Sequence, residues 1–207
     1  MPDVHVRQRK DILWLILDRP PLNILTIAML DELTAALRTA SKRPPRLVVI
    51  TTASERAFSA GVDVRDHLDG REQEMLRAVY DNCAAFEELH AGHIPSVALV
   101  KGPALGGGCE LAALCDTVIA REDATFGLPE VRLGVLPPVA AVYFPALIGQ
   151  NATTRLMLTG EIINAGEALR LGLVHQVLSS RRFLPDAEEL ITMLATHSTY
   201  REAVGER

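Results

Sequence analysis

With 207 residues, 48% of them hydrophobic, the chain has enough apolar material for one substantial core, with at most a small helical appendage. Its formal charge of −5 and lack of a Lys/Arg cluster exclude the basic surface that sequence-independent binding to nucleic acid or an anionic membrane requires. No apolar run is long enough to cross a bilayer, and the N-terminal MPDVHVRQRK is charged where a secretory signal would be apolar, so a cytoplasmic protein is expected.

In chain order, VHVRQ (residues 4–8) and DILWLILD (11–18) predict two strands around an Arg9-Lys10 turn, and the two prolines of DRPPLNIL block any continuation. TIAMLDELTAALRTASK then places Ile27, Leu30, Leu33 and Leu37 on one helical face behind Thr26, a capping residue type. RLVVITT and SVALVKG are apolar runs suited to strands buried on both faces. Between them lie a polar loop, ASERAFSAGVD, and a helical stretch, REQEMLRAVYDNCAAFEELH. After SVALVKG come three glycines, a short helix and the strand DTVIAR. This alternation predicts an α/β fold with right-handed crossovers and a largely parallel sheet. Helices resume after PPVAA, with Asn164 capping AGEALRLG and Gly172 stopping it. Cys83, Cys109 and Cys115 follow no paired ligand spacing and read as buried, reduced thiols. His90 and His93 share i,i+3 spacing but lack a further ligand cluster, so no metal is expected.

The stretch GPALGGGCELAALCD carries the chemistry. In α/β proteins ligands gather at the carboxyl ends of parallel strands, and Gly106 to Gly108 lie at such a junction. A helix start there leaves backbone N–H groups unpaired at the positive end of the dipole, where they can hold an anion or a developing oxyanion. The same glycines would equally serve a tight turn and close packing of helix on sheet. They form neither a P-loop nor a dinucleotide fingerprint. Glu110, three residues after Gly107, reads either as a capping acid or as a general base kept ionised by the dipole. AFSAGVD follows RLVVITT as ALGGG follows SVALVKG, which offers a second set of donors. FGLPEV supplies a second acid, Glu130, behind a proline.

Taken together, DRPPLNIL, RAFSAGVDV, GPALGGGCELAALCD, TFGLPEVRLGVLPP and LTGEIINAGEALRLGLVHQV resemble the crotonase, or enoyl-CoA hydratase/isomerase, superfamily over about four-fifths of the chain. The resemblance implies a spiral of ββα units and an acyl-CoA thioester substrate. It also implies an oxyanion hole whose N–H donors fall on Val62 and Gly107. Ala60, Gly61, Asp63 and Pro138 fall on substrate-binding positions. Glu110 and Glu130 fall on the two acids of the hydratase branch, which favours hydration or dehydration. Coenzyme A would be part of the substrate, with no metal or other cofactor, and the assembly would be a homotrimer or a hexamer of two trimers.

Two features depart from that pattern. Hydratases of the family typically read PGAGG where this chain reads LPPVAA, so Pro138 has no N–H to offer a catalytic water. The PPVA variant is closer to hydratases of cyclic dienoyl-CoA such as cyclohexa-1,5-diene-1-carbonyl-CoA. The family also usually continues with further helices, whereas residues 181–207 form only a partial helical segment after a 1–180 core. A sister isomerase or decarboxylase, or a non-catalytic acyl-thioester binding or assembly subunit, are the alternatives to a hydratase.

Overall fold

The computed structural model describes residues 2–63 and 70–197, so the tail 198–207 of the C-terminal segment lies outside the described residues. Strands β1 (Val4–Arg9) and β2 (Ile12–Leu17) form an antiparallel hairpin in which Arg9 pairs with Ile12. The turn is therefore Lys10-Asp11, one residue later than the sequence suggests, and Lys10 takes a left-handed φ of 54°. Helix α1 (Ile27–Lys42) begins at Thr26, whose side chain accepts from the Met29 N–H. Strand β3 (Leu47–Thr52) follows, and after it helix α2 (Glu72–Ala91) and strand β4 (Ser96–Val100).

The second half is built from shorter pieces: β5 (Pro103–Leu105), α3 (Gly107–Ala113), β6 (Thr117–Arg121) and β7 (Thr125–Gly127). A 3₁₀ turn over Pro129–Leu133 leads to α4 (Pro138–Ile148) and α5 (Gln150–Thr159). The described chain closes with β8 (Ile162–Asn164), α6 (Ala165–Leu171), β9 (Gln176–Leu178) and α7 (Phe183–His197). Asn164 caps α6 through the Glu167 N–H, and Gly172 ends it in a left-handed conformation.

The main sheet runs β1-β2-β3-β4-β6-β9, parallel throughout except for the first hairpin. A small second sheet, β5-β7-β8, stands at its carboxyl end. Every residue of β3 and β4 is buried, because α1 and α2 cover one face and α7 the other. On the α7 side Phe183, Ala187 and Ile191 pack on Val49, Val97, Leu99 and Ile119. No helix among the described residues is long and apolar enough to cross a membrane.

The cysteines are free and buried. His90 Nε2 lies 3.2 Å from Asp116 Oδ1, and Asp116 also takes the Ser96 N–H and hydroxyl. This cluster ties the end of α2 to the starts of β4 and β6.

Candidate active site

Three consecutive glycines sit at the β5–α3 junction because three neighbours press against them. A Cβ at 106 would stand 2.5 Å from Glu130 Oε1, one at 107 would stand 3.0 Å from Val62 Cγ1, and one at 108 would stand 2.5 Å from the Ser59 carbonyl oxygen. Close packing and donor exposure are thus joint consequences of one glycine run. Gly106 also takes a φ of 53°, which suits a residue without a side chain.

The two expected donors are left free by the local hydrogen bonding. Around Val62 the chain forms a parallel bridge to Leu25: Leu25 N–H donates to the Gly61 carbonyl at 2.8 Å, and Asp63 N–H donates to the Leu25 carbonyl at 3.0 Å. That bridge uses the neighbours of Val62 and passes over its own N–H. Gly107 is the first residue of α3, where an N–H has no intrahelical acceptor. Neither N–H finds an acceptor among the described residues. They are close together, since a Cβ on Gly107 would be 3.5 Å from Val62 N.

Asn23 holds this loop pair in place. Its side-chain amide donates to Thr52 Oγ1 at 2.6 Å and to the Phe58 carbonyl at 2.9 Å, and its carbonyl oxygen takes the Arg19 N–H. The sequence flags Asn23 only as part of a proline-rich turn; its long-range role depends on the fold. Ala60, Gly61 and Asp63 support the same loop. Ala60 N–H donates to the Leu22 carbonyl and Gly61 N–H to Ser59 Oγ, and none of the three is among the described residues lining the chamber below.

Glu110 does not cap its own helix. Its backbone N–H already bonds the Gly106 carbonyl, while its carboxylate Oε1 accepts the Ala140 N–H at 2.7 Å. The acid therefore caps α4, whose own preceding residue, Pro137, offers no side-chain cap. Pro138 at the first helical position suits this arrangement, because its missing N–H would be unpaired there anyway.

Burial opposes the expectation that the dipole keeps Glu110 ionised. The residue is only 5% exposed, and burial pushes its pKa up to about 7 despite the Ala140 bond, with the nearby Glu130 charge adding to the rise. Glu130 is also raised, chiefly by burial. Its Oε2 is buried without a hydrogen-bond partner among the described residues.

A chamber of about 340 Å³ gathers these groups. Val62, Gly107, Glu110, Glu130 and Pro138 all line it, together with Met75, Leu76 and Val79 of α2 and with Val135 and Leu136. The sequence marks α2 only as a helical stretch, and the wall it gives the chamber emerges only from the fold. Two free donors, two carboxyls with raised pKa and apolar walls can polarise a carbonyl and move a proton at an adjacent carbon.

The enoyl-CoA hydratase/isomerase family matches residues 7–204. A probable enoyl-CoA hydratase of Mycobacterium leprae is 38% identical over 184 residues, covering 88% of this chain and 71% of that protein. The 2,3-dehydroadipyl-CoA hydratase of Escherichia coli is 35% identical over 201 residues, covering 96% and 78% respectively. The crystal structure of an enoyl-CoA hydratase from Bacillus anthracis superposes with a TM-score of 0.86 at 31% identity, over 98% of this chain and 82% of that one. The chain belongs to the enoyl-CoA hydratase/isomerase family and has its crotonase-type α/β fold.

Proposed function

We propose that this protein is a hydratase-type lyase that adds water to an α,β-unsaturated acyl-CoA thioester, or removes it in reverse. The observation that carries this reading is the meeting of the Val62 and Gly107 N–H groups with Glu110 and Glu130 in one chamber. The thioester carbonyl accepts from the two N–H groups, which stabilise the charge that grows on its oxygen. Water oxygen bonds to the β-carbon as the double-bond electrons move to the α-carbon and carbonyl. One carboxylate takes a proton from the water and the other carboxyl gives one to the α-carbon, so the pair ends with the proton count it began with. A pKa of about 7 on Glu110 suits such an exchange near neutral pH. Coenzyme A enters as part of the substrate, and the reading calls for no separate cofactor or metal.

Pro138 leaves the water to the two glutamates. Of Pro137, Pro138 and Val139 only Pro138 lines the chamber, and its rigid apolar ring there supports a compact ring, a cyclic dienoyl-CoA, as the favoured acyl group. The same missing N–H favours the second reading, an isomerase that moves a proton between carbons without water, since the oxyanion donors serve any thioester enolate. Assembly as a homotrimer or a hexamer belongs to the proposal. It is supported by apolar side chains left open on the second half of the molecule, including Val142 at 72% and Leu158 at 71% exposure. The division into a 1–180 core and a 181–207 helical segment, and a cytoplasmic setting in keeping with three free thiols, complete the reading.

The test is a screen of purified protein against straight-chain and cyclic enoyl- and dienoyl-CoAs, with water addition followed as a mass gain. Hydration of at least one class is expected. Double-bond migration without mass gain would favour the isomerase, and no reaction with any thioester would overturn both.

A further inference from the structure

Against Gly107 and Glu110 a small recess adjoins the chamber. It shares Val62, Val79, Gly107 and Glu110 with the chamber, holds only about 20 Å³, and is otherwise lined by Leu25, Leu30, Asn82, Cys83, Leu111, Leu114 and Val139. That volume is about one water-sized or methyl-sized group.

The wall is built to stay where it is. Asn82 is 3% exposed, and its amide donates to Thr34 Oγ1 at 3.2 Å, which pins α2 to α1 at this level. Leu30, Leu111 and Leu114 belong to the main hydrophobic core, and Cys83 beside them is 8% exposed. Enlarging the recess would displace packed core side chains, and inserting even one methylene into such packing is felt. The Cys83 thiol, pushed up to about 11 chiefly by burial, is neutral and acts there as a small apolar surface.

We propose that the Asn82–Cys83 wall, together with Leu114, sets the acyl length this enzyme accepts: one methyl-sized group beyond the reacting double bond. The inference rests on the hydratase reading, which places the carbonyl on the Val62 and Gly107 N–H groups and the β-carbon beside Glu110. A four-carbon straight chain then fills the recess with its terminal methyl. Each further methylene must overpack the wall or abandon the recess. A ring does not fit a recess of about 20 Å³ and is assigned to the chamber of about 340 Å³ instead.

The test is a length series of trans-2-enoyl-CoAs with four, six, eight and ten carbons, run on the wild type and on Cys83→Gly and Leu114→Ala. On the wild type kcat/KM should fall at least about tenfold from four to six carbons, within the range that one or two mismatched methylenes produce. Either variant should shrink that ratio about tenfold by opening the recess. The same series of saturated acyl-CoAs, titrated by calorimetry, reads the wall without chemistry. A length cut in binding with no hydration of any enoyl-CoA would sustain the wall and overturn the hydratase reading. Hydration with equal specificity for four and ten carbons, as a chain leaving past Met75 and Leu136 would give, overturns the wall alone. So do folded variants whose length ratio matches the wild type.

Discussion

At the scale of single residues, Glu110 serves two ends that pull against each other. Buried and capping α4, it also holds its proton more tightly in the folded protein than in the unfolded chain, with a pKa of about 7 against the ordinary 4.5. Between those values the folded state binds more protons, so stability falls as pH rises through that window. The ionised residue costs folding about 3 kcal/mol above pH 7, at about 1.4 kcal/mol per pKa unit. Glu110→Gln keeps an oxygen for the Ala140 N–H and cannot ionise. Urea melts at pH 8 should find it more stable than wild type, with the gap closing toward pH 4.5; a variant less stable at pH 8 would contradict the burial account. Activity should show the same group. A pair that must carry one proton gives a bell-shaped kcat/KM profile, with the basic limb falling through about pH 7 as the last carboxyl ionises. A profile flat from pH 5.5 to 9 would disagree. Pro138 provides a third residue-scale expectation: a cyclic dienoyl-CoA should have a higher kcat/KM than crotonyl-CoA, and Pro138→Gly should narrow the difference. Equal values in the wild type would remove the role assigned to that proline.

The elements show which parts of the structure could be read from sequence and which could not. Apolar runs bounded by turns announced β3 and β4, and both are buried on two faces as such runs require. Thr26 and Asn164 announced helix starts because a side-chain oxygen at that position needs only local geometry to reach an N–H three residues on. Glu110 shows the opposite case. Its local position points to a capping acid or a base held ionised by the helix dipole, whereas its pKa is raised chiefly by burial and also by Glu130, and its carboxylate caps α4, all distant in sequence. Asn23 escaped for the same reason, since its partners Thr52 and Phe58 lie about thirty residues away. The caps can be checked directly: Asn164→Ala should lower stability by about 1 kcal/mol in a denaturant titration while leaving substrate binding unchanged. The His90–Asp116 contact predicts a pH effect of opposite origin. Its hydrogen bond to Asp116 raises the His90 pKa above 6.5, so the stability it contributes is complete below 6.5 and is lost as pH rises through the raised folded value. The stability difference between wild type and His90→Gln should therefore be larger at pH 5.5 than at pH 8.5, and a constant difference would show that the pairing carries no charge.

For the molecule as a whole, a parallel sheet covered on both faces carries a small second sheet at its carboxyl end, and the chamber opens where the two meet. Val142 of α4 and Leu158 of α5 are open apolar residues that a self-associating protein would bury. Light scattering at micromolar concentration should report an oligomer, and Val142→Asp with Leu158→Asp should shift it toward monomer; a wild type that is monomeric throughout would reject the assembly. The proposed chemistry requires that two carboxyls and two backbone donors act together on a thioester. Its most direct measurement is the rate of water addition to an enoyl-CoA by Glu110→Gln and Glu130→Gln, alongside equilibrium binding of a saturated acyl-CoA. Each variant should lose at least about a hundredfold in turnover, the scale of a positioned acid or base, with thioester binding largely retained. Turnover within threefold of wild type in either variant would contradict the account.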